Sequence, residues 1–396
     1  MSKKRELDPG LQYLLEIGFD KTHGKNGLQE RLEKVFGKKT AIQIYSKRVK
    51  IEDGSIEFYE FKNSDPRISR IFSEVYDGDI LRKACNYIYD QREFFGNTIL
   101  EVGCEAGYMT GFLARTFPES KIVSIDRSKA AIDMAKSRAN KLGIENVEFR
   151  NCSLKEVEEE FDTVFCMRTI QENINYDEAP YAGEPIVKQF YMYKDLTNEY
   201  SIQLLSCLKE SGSLCVFERV GHNPLMCGWM LNLNHHNCGF MDDTYKEYLC
   251  EEVGEHNTFQ AFICRKGAPK KEESEIIEYW YSAIEINPAG KNQISGWNAL
   301  VYLYENAGKL IRGVRIISGS GKTVGRFGVF EDKDDDALLY YLLAVGTDIQ
   351  LYSYKAELRN DLLKNMLEAI DVNQKAGHHV EEIDITDEWI EGRTED

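Results

Sequence analysis

Apolar and polar positions along the chain fall into three successive patterns. In residues 1 to 40 apolar side chains recur at helical spacing: Leu11, Leu14, Leu15 and Phe19 share one face, as do Leu28, Leu32 and Phe36. Ile42 to Tyr45 and Ile56 to Phe61 are short apolar runs and read as short strands or extended cover. From Asp65-Pro66 onward the helical period returns through Ile68, Ile71, Phe72 and Val75, then Ile80, Leu81, Ala84, Tyr87 and Ile88.

The middle of the chain alternates short β-rich runs with helical ones. Thr98 to Val102 is apolar and β-branched, Gly103 and Gly107 fall where a strand must turn tightly, and Met109 to Arg115 resumes at helical spacing. Such a turn lets a ligand approach the backbone and aims a helix N-terminus at it. A second strand, Lys121 to Ile125, ends in Asp126, where nucleotide-binding α/β folds place the acid that takes the ribose hydroxyls. Ala130 to Lys141 predicts a helix, Val147 to Phe149 a third strand and Phe161 to Cys166 a fourth. After an acidic, aromatic-rich stretch from Ile174 to Tyr200, longer than a minimal connection, come a helix (Tyr200 to Leu208) and a fifth strand (Gly212 to Glu218). Tyr245 to Glu252 and Phe259 to Arg265 form a strand pair, and Gly267 to Ser274 reads as a linker.

The third pattern is that of a small α+β domain with an antiparallel sheet. A helix (Glu275 to Ile284) precedes strands in Trp297 to Tyr304, Leu310 to Ile317, Thr323 to Phe330 and Leu338 to Tyr354, then a helix (Glu357 to Ile370) and an acidic tail.

Composition narrows the class. A chain of 396 residues, 42% hydrophobic and 29% charged, is that of a globular protein long enough for two or three domains. The net charge of -17 argues against a broad nucleic-acid surface. The longest apolar run, Ala337 to Val345, is too short to span a bilayer. No apolar segment follows the basic opening Met1 to Arg5, and ten cysteines lack paired spacing, so a cytosolic protein with reduced thiols is expected. Residues 1 to 50 carry twelve Lys/Arg against six Asp/Glu, read as a solvated helix face, whereas 381 to 396 carry eight acids against Arg393.

With Glu101 ending the first strand, Gly103-Cys-Glu-Ala-Gly107 in the turn and Asp126 closing the second, the stretch from about Arg70 to Lys266 resembles the class I S-adenosylmethionine-dependent methyltransferases. The resemblance implies an α/β fold: a doubly wound, seven-stranded, mostly parallel sheet, its seventh strand antiparallel. Around it the expected domains are an N-terminal helical cover (1–85), a cofactor-binding core (86–267) and a small α+β C-terminal domain (268–396). In many members of this family an N-terminal helical segment covers the cofactor cleft, so residues 1–85 are expected to be either such a lid or a cap that only completes the core.

The cofactor the resemblance implies is S-adenosylmethionine, with S-adenosylhomocysteine as product. Gly103 and Gly107 would let backbone lie under it, and Asp126, followed by Arg127, would accept the ribose hydroxyls. Glu101 would hold the turn or meet the methionine ammonium. Glu105 stands where the family often has glycine, and either pairs with that ammonium or alters the cofactor geometry. Where the family usually has an acid for the adenine amino group, this chain has Asn151, Cys152 and Ser153, leaving the Ser153 side chain; Cys166 ends the fourth strand.

The implied reaction is in-line attack of an acceptor heteroatom on the sulfonium methyl, which needs positioning, exclusion of water and removal of any proton. Arg168, Glu172, Arg219 and His222 lie just past the fourth and fifth strands, placed to bind a carboxylate or serve as base. The acceptor is expected to be an O or N nucleophile, such as a carboxylate, of a small molecule. Alternatives are a peptide or protein acceptor met with the C-terminal domain, and a non-catalytic binding protein that keeps the fold. Two other motifs carry no chemistry. Ser318 to Thr323 looks like a phosphate-binding loop, but Ile316 stands where that motif needs glycine, so it reads as a hairpin turn. His235-His236 with Cys238, and His378-His379, lack the separated ligand pairs of a zinc site, and no metal is expected.

Overall fold

A computed structural model describes residues 8–19, 27–52, 54–174, 186–219, 224–252, 255–282, 293–345 and 348–383. By its internal contacts the chain divides into two units: residues 1–175, 199–221 and 233–271 in the first, and 176–198, 222–232 and 272–396 in the second.

The first unit opens with helices. α1 (Pro9–Glu16) starts at Asp8, whose carboxylate accepts from the Leu11 N–H at 2.7 Å, with proline at the first helical position. α2 (Leu28–Phe36), α3 (Lys38–Arg48), α4 (Ile56–Lys62) and α5 (Pro66–Phe72) follow. The runs 42–45 and 56–61, expected as strands or extended cover, are therefore helical. Ser55 caps α4 by accepting from the Phe58 N–H at 3.1 Å, and Leu28, Leu32, Ala41, Phe61, Ile68 and Phe72 share a small core that helices fill. A five-residue π-helical turn, Ser73–Asp77, leads into α6 (Gly78–Asp90).

Next comes the sheet: β1 (Thr98–Val102), α7 (Tyr108–Thr116), β2 (Lys121–Asp126), α8 (Lys129–Leu142), β3 (Val147–Asn151) and β4 (Phe161–Met167). They are followed by the short α9 (Ile170–Asn173), α10 (Ile186–Leu196), α11 (Asn198–Ser206), β5 (Leu208–Glu218), α12 (Pro224–His235), β6 (Cys238–Phe240), β7 (Lys246–Glu252) and β8 (Glu255–Lys266). The strand order is β3-β2-β1-β4-β5-β8-β6, with β7 also on β8. The first five strands are parallel and β8 runs antiparallel to β5. This is the expected doubly wound sheet, with the three-residue β6 as an eighth strand. Because β1 continues to β2 on one side and pairs with β4 on the other, the winding reverses at β1, and ligands of open α/β sheets bind outside the carboxyl ends of strands at such a point.

Residues 1–85 and the sheet fall in one unit. Tyr13, Leu14 and Phe19 near α1, and Ile80, Leu81, Tyr87 and Ile88 of α6, are buried in the same core as Ile99, Phe112, Phe165 and Phe217.

The second unit is built from α10, residues 224–232 of α12, and the C-terminal segment: α13 (Glu273–Ser282), β9 (Gln293–Ser295), α14 (Trp297–Asn306), β10 (Ala307–Ile317), β11 (Thr323–Asp332), β12 (Leu338–Val345), β13 (Asp348–Lys355), α15 (Arg359–Lys375) and β14 (His379–Ile383). Its sheet is antiparallel, in the order β14-β10-β11-β12-β13-β9. Leu362 and Met366 of α15 pack on Val314, Ile316, Phe327, Val329 and Leu339. Trp297 to Tyr304, expected as a strand, is helical: Ala299, Leu300, Val301 and Leu303 are all buried, and an apolar run without period is compatible with either structure. Ser318 to Thr323 is the expected hairpin turn, closed by the Ser318 N–H on the Lys322 carbonyl at 2.8 Å with Gly321 at φ +80°. Among the described residues no helix is long and apolar enough to cross a membrane.

Candidate active site

The turn after β1 is stitched to β2. The N–H groups of Gly103 and Cys104 donate to the Ile125 carbonyl at 2.9 and 3.0 Å, and the Glu105 N–H donates to Asp126 Oδ2 at 2.9 Å. Gly103 has φ +75°, and a Cβ there would stand 2.9 Å from Thr169 Cγ2. Gly107, also at φ +75°, lets α7 start against α8, since a Cβ would come within 2.9 Å of the Ala135 Cβ. Glu101 is 2% exposed and accepts from Thr110 Oγ1 at 2.5 Å and Ser124 Oγ at 2.7 Å; burial nevertheless pushes its pKa up to about 7. Burial raises the Asp126 carboxyl too, against the N–H groups of Ser128 and Glu105 that hold its charged form.

A cavity of about 950 Å³ opens at this carboxyl edge. Of the residues singled out from the sequence, Glu101, Gly103, Glu105, Asp126, Arg127, Cys152 and Ser153 line it, and so do Arg168, Glu172 and Arg219. Gly107 and Cys166 do not. Gly107 acts by packing, and the Cys166 thiol is fully buried, 3.9 Å from the Tyr200 hydroxyl. His222 lies outside the described residues. Ser153 lines the wall, but its hydroxyl donates to Glu156 Oε2 at 2.8 Å in a capping box. Glu105 is already engaged through one oxygen: its Oε1 lies 2.9 Å from Lys62 Nζ and accepts from Asn63 Nδ2 at 3.3 Å.

The residues just past β4, next to the β1 turn, also line the cavity. Arg168 sits at φ +56°, and its Nη1 donates to Asp77 Oδ1 at 2.6 Å. Glu172 Oε1 accepts from the Tyr59 hydroxyl at 3.5 Å, and burial raises its carboxyl above the usual range, against the Arg168 charge. The corner itself hangs from Glu218 at the end of β5, whose Oε1 accepts from the Thr169 N–H at 2.7 Å, the Thr169 hydroxyl at 3.0 Å and the Ile170 N–H at 3.3 Å. Glu218 is 2% exposed, and burial pushes it up to about 8.

Sequence patterns did not single out Tyr59, Lys62 and Asp77, all of which line the cavity. The one available signal was a charge on an apolar helical face, as at Asp77 between Phe72 and Ile80.

A family profile described as a methyltransferase domain matches residues 93–287, about half of the chain. The malonyl-[acyl-carrier protein] O-methyltransferase of Acetivibrio thermocellus is 31% identical over 97 residues, 23% of this chain and 33% of that protein. The protein-L-isoaspartate O-methyltransferase of Cellvibrio japonicus is 38% identical over 55 residues, 14% of this chain and 24% of that protein. The chain spans between 14% and 33% of the length of the curated relatives it matches. Among solved structures, the N-methyltransferase NodS from Bradyrhizobium japonicum WM9, in complex with S-adenosyl-L-homocysteine, is 13% identical, with 55% of this chain and 100% of that one covered at a TM-score of 0.40.

Proposed function

We propose, from the premise that residues 93–287 belong to the class I S-adenosylmethionine-dependent methyltransferases, that this protein is a cytoplasmic enzyme methylating an O or N nucleophile of a small molecule. The observation that carries the reading is one cavity lined by the β1 turn, Glu101 and Asp126 together with Arg168, Glu172 and Arg219. Its volume, about 950 Å³, suits a nucleoside cofactor and a small acceptor together.

The residues present fit the cofactor. Gly103 lines the cavity without a Cβ, so backbone can lie against a ligand. Glu101 is a buried carboxylate on the wall, suited to a methionine ammonium. Asp126 spends its oxygens on two N–H groups, and each carboxylate oxygen keeps a further acceptor site for a ribose hydroxyl. The bound cofactor supplies a methyl group already activated by the sulfonium charge.

The chain's own part is to orient the acceptor, exclude water and handle the proton. Arg168 is suited to a carboxylate acceptor, which needs no base. For a neutral acceptor, Glu172, with its raised pKa, takes the proton, while the Tyr59 hydroxyl orients its carboxylate. The two partial relatives named above are both O-methyltransferases, which favours an oxygen acceptor.

The test incubates purified protein with S-adenosylmethionine and a panel of small carboxylic acids, amines, an isoaspartyl peptide and malonyl-[acyl-carrier protein]. The expected result is a mass gain of one methyl group on a small acid, lost in Asp126→Ala. Methylation of the peptide or carrier protein alone overturns the small-molecule acceptor. No methylation, with no heat of cofactor binding in calorimetry, overturns the whole reading.

A further inference from the structure

One unassigned side chain sits at the hub of the cavity wall. Asp77 ends the π-helical turn between α5 and α6, and such turns shift the side-chain register of a helix, frequently at functional sites. Its carboxylate, 7% exposed, accepts from Lys62 Nζ at 2.8 Å through Oδ2 and from Arg168 Nη1 at 2.6 Å through Oδ1. Lys62, itself only 4% exposed, also lies 2.9 Å from Glu105 Oε1. A line of alternating charges thus runs Arg168, Asp77, Lys62, Glu105, and the Glu105 N–H continues it to Asp126.

Both ends of this line are strained. Glu105 at φ +46° and Arg168 at φ +56° are two of five non-glycine residues with positive φ among the described residues. Bulky side chains rarely adopt that conformation, and it persists where the surroundings over-determine it, most often at functional sites. Desolvation offsets much of the attraction between buried charges, so such a line is a costly way to add stability alone. Burial opposes the ionised form of Asp77, but Lys62 and Arg168 outweigh it and hold the carboxyl below the usual range. Burial likewise opposes the charge on Lys62, and Asp77 and Glu105 outweigh it.

We infer that Asp77 is a positioning residue: it fixes Arg168 on the acceptor side directly and the Glu105 turn on the cofactor side through Lys62, so that the two sides are set together. The inference rests on the reading of the β1 turn as the cofactor site.

The probe is S-adenosylhomocysteine, titrated by calorimetry into the full-length protein, with the thermal midpoint measured alongside. Asp77→Asn is expected to weaken binding about tenfold, and Lys62→Met by a similar factor. Arg168→Met, away from the glycine turn, also weakens it. Because all three act on one line, adding Lys62→Met or Arg168→Met to Asp77→Asn costs no further affinity, even where the thermal midpoint drops again. Losses that multiply, or an unchanged affinity in Asp77→Asn, overturn the inference and leave the cofactor site standing. A folded wild type that does not bind overturns the cofactor site and the inference with it. If Asp77→Asn alone does not fold, Lys62→Met/Asp77→Asn removes both buried charges together. Adding Arg168→Met to that pair then gives equal affinity if the inference holds and lower affinity if it does not.

Discussion

Gly103 and the two buried glutamates carry the sharpest single-residue consequences. At Gly103 a side chain meets both a positive φ and Thr169 Cγ2, so Gly103→Val should reduce cofactor binding by at least an order of magnitude in calorimetry and cost on the order of 2 kcal/mol in a denaturant melt. Glu101 and Glu218 have folded pKa values of about 7 and about 8, against 4.5 in the unfolded chain. Above pH 4.5 the unfolded state has released protons that the folded state keeps, so stability falls as pH rises toward those values and levels off beyond them. Glu218→Gln should flatten that slope and raise stability near pH 8 by on the order of 3 kcal/mol, read as the denaturant midpoint against pH. A midpoint for this variant that still falls between about pH 5 and pH 8 as in wild type would sink the assignment.

At the scale of the element, α4 is held to the sheet's edge by polar contacts. Glu60 Oε1 accepts from Ser128 Oγ at 2.8 Å and the Ala130 N–H at 3.2 Å, at the start of α8, where a helix favours negative charge. Lys62 reaches Glu105 and Asp77, and Phe61 anchors the other face among Leu32 and Phe72. α4 thus supplies residues both to the cavity lining and to the helical core. Ser55→Ala removes the N-cap and should cost about 1 kcal/mol. Glu60→Ala should leave the sheet intact while amide exchange in residues 56–62 speeds up several-fold and S-adenosylhomocysteine dissociates faster. Equal protection in that helix would mean that Phe61 alone holds it.

Across the whole molecule, the second unit draws on two stretches that interrupt the first. α10 packs against α14, Asn232 Nδ2 donates to the Lys194 carbonyl at 2.5 Å, and a Cβ on Gly228 would stand 2.5 Å from the Tyr193 Cβ, so α10 and α12 touch closely there. Deleting residues 272–396 removes α14, which packs on α10, where Phe190 and Tyr193 are fully buried. The truncated chain should aggregate on size-exclusion chromatography, because an apolar patch of that kind drives association. A monodisperse truncation with unchanged cofactor affinity would show that α10 and α12 need no such cover.

Residues 98 to 126 specified their own structure: the β-branched run, the glycine turn and the terminal Asp126 are local features, and backbone sterics act locally. The hairpin at Ser318 to Thr323 followed from equally short-range rules, whereas the order of the strands is set by pairings such as β1 with β4, far apart in the chain. Whether 42–45, 56–61 and 297–304 became helices was not local, since a short apolar run takes the form its neighbours can cover. Nor could any spacing bring Lys62 and Asp77 to Glu105 and Arg168. A buried charge has meaning only through the partner that compensates its lost hydration, and here those partners meet from four separate stretches of chain once the fold has closed.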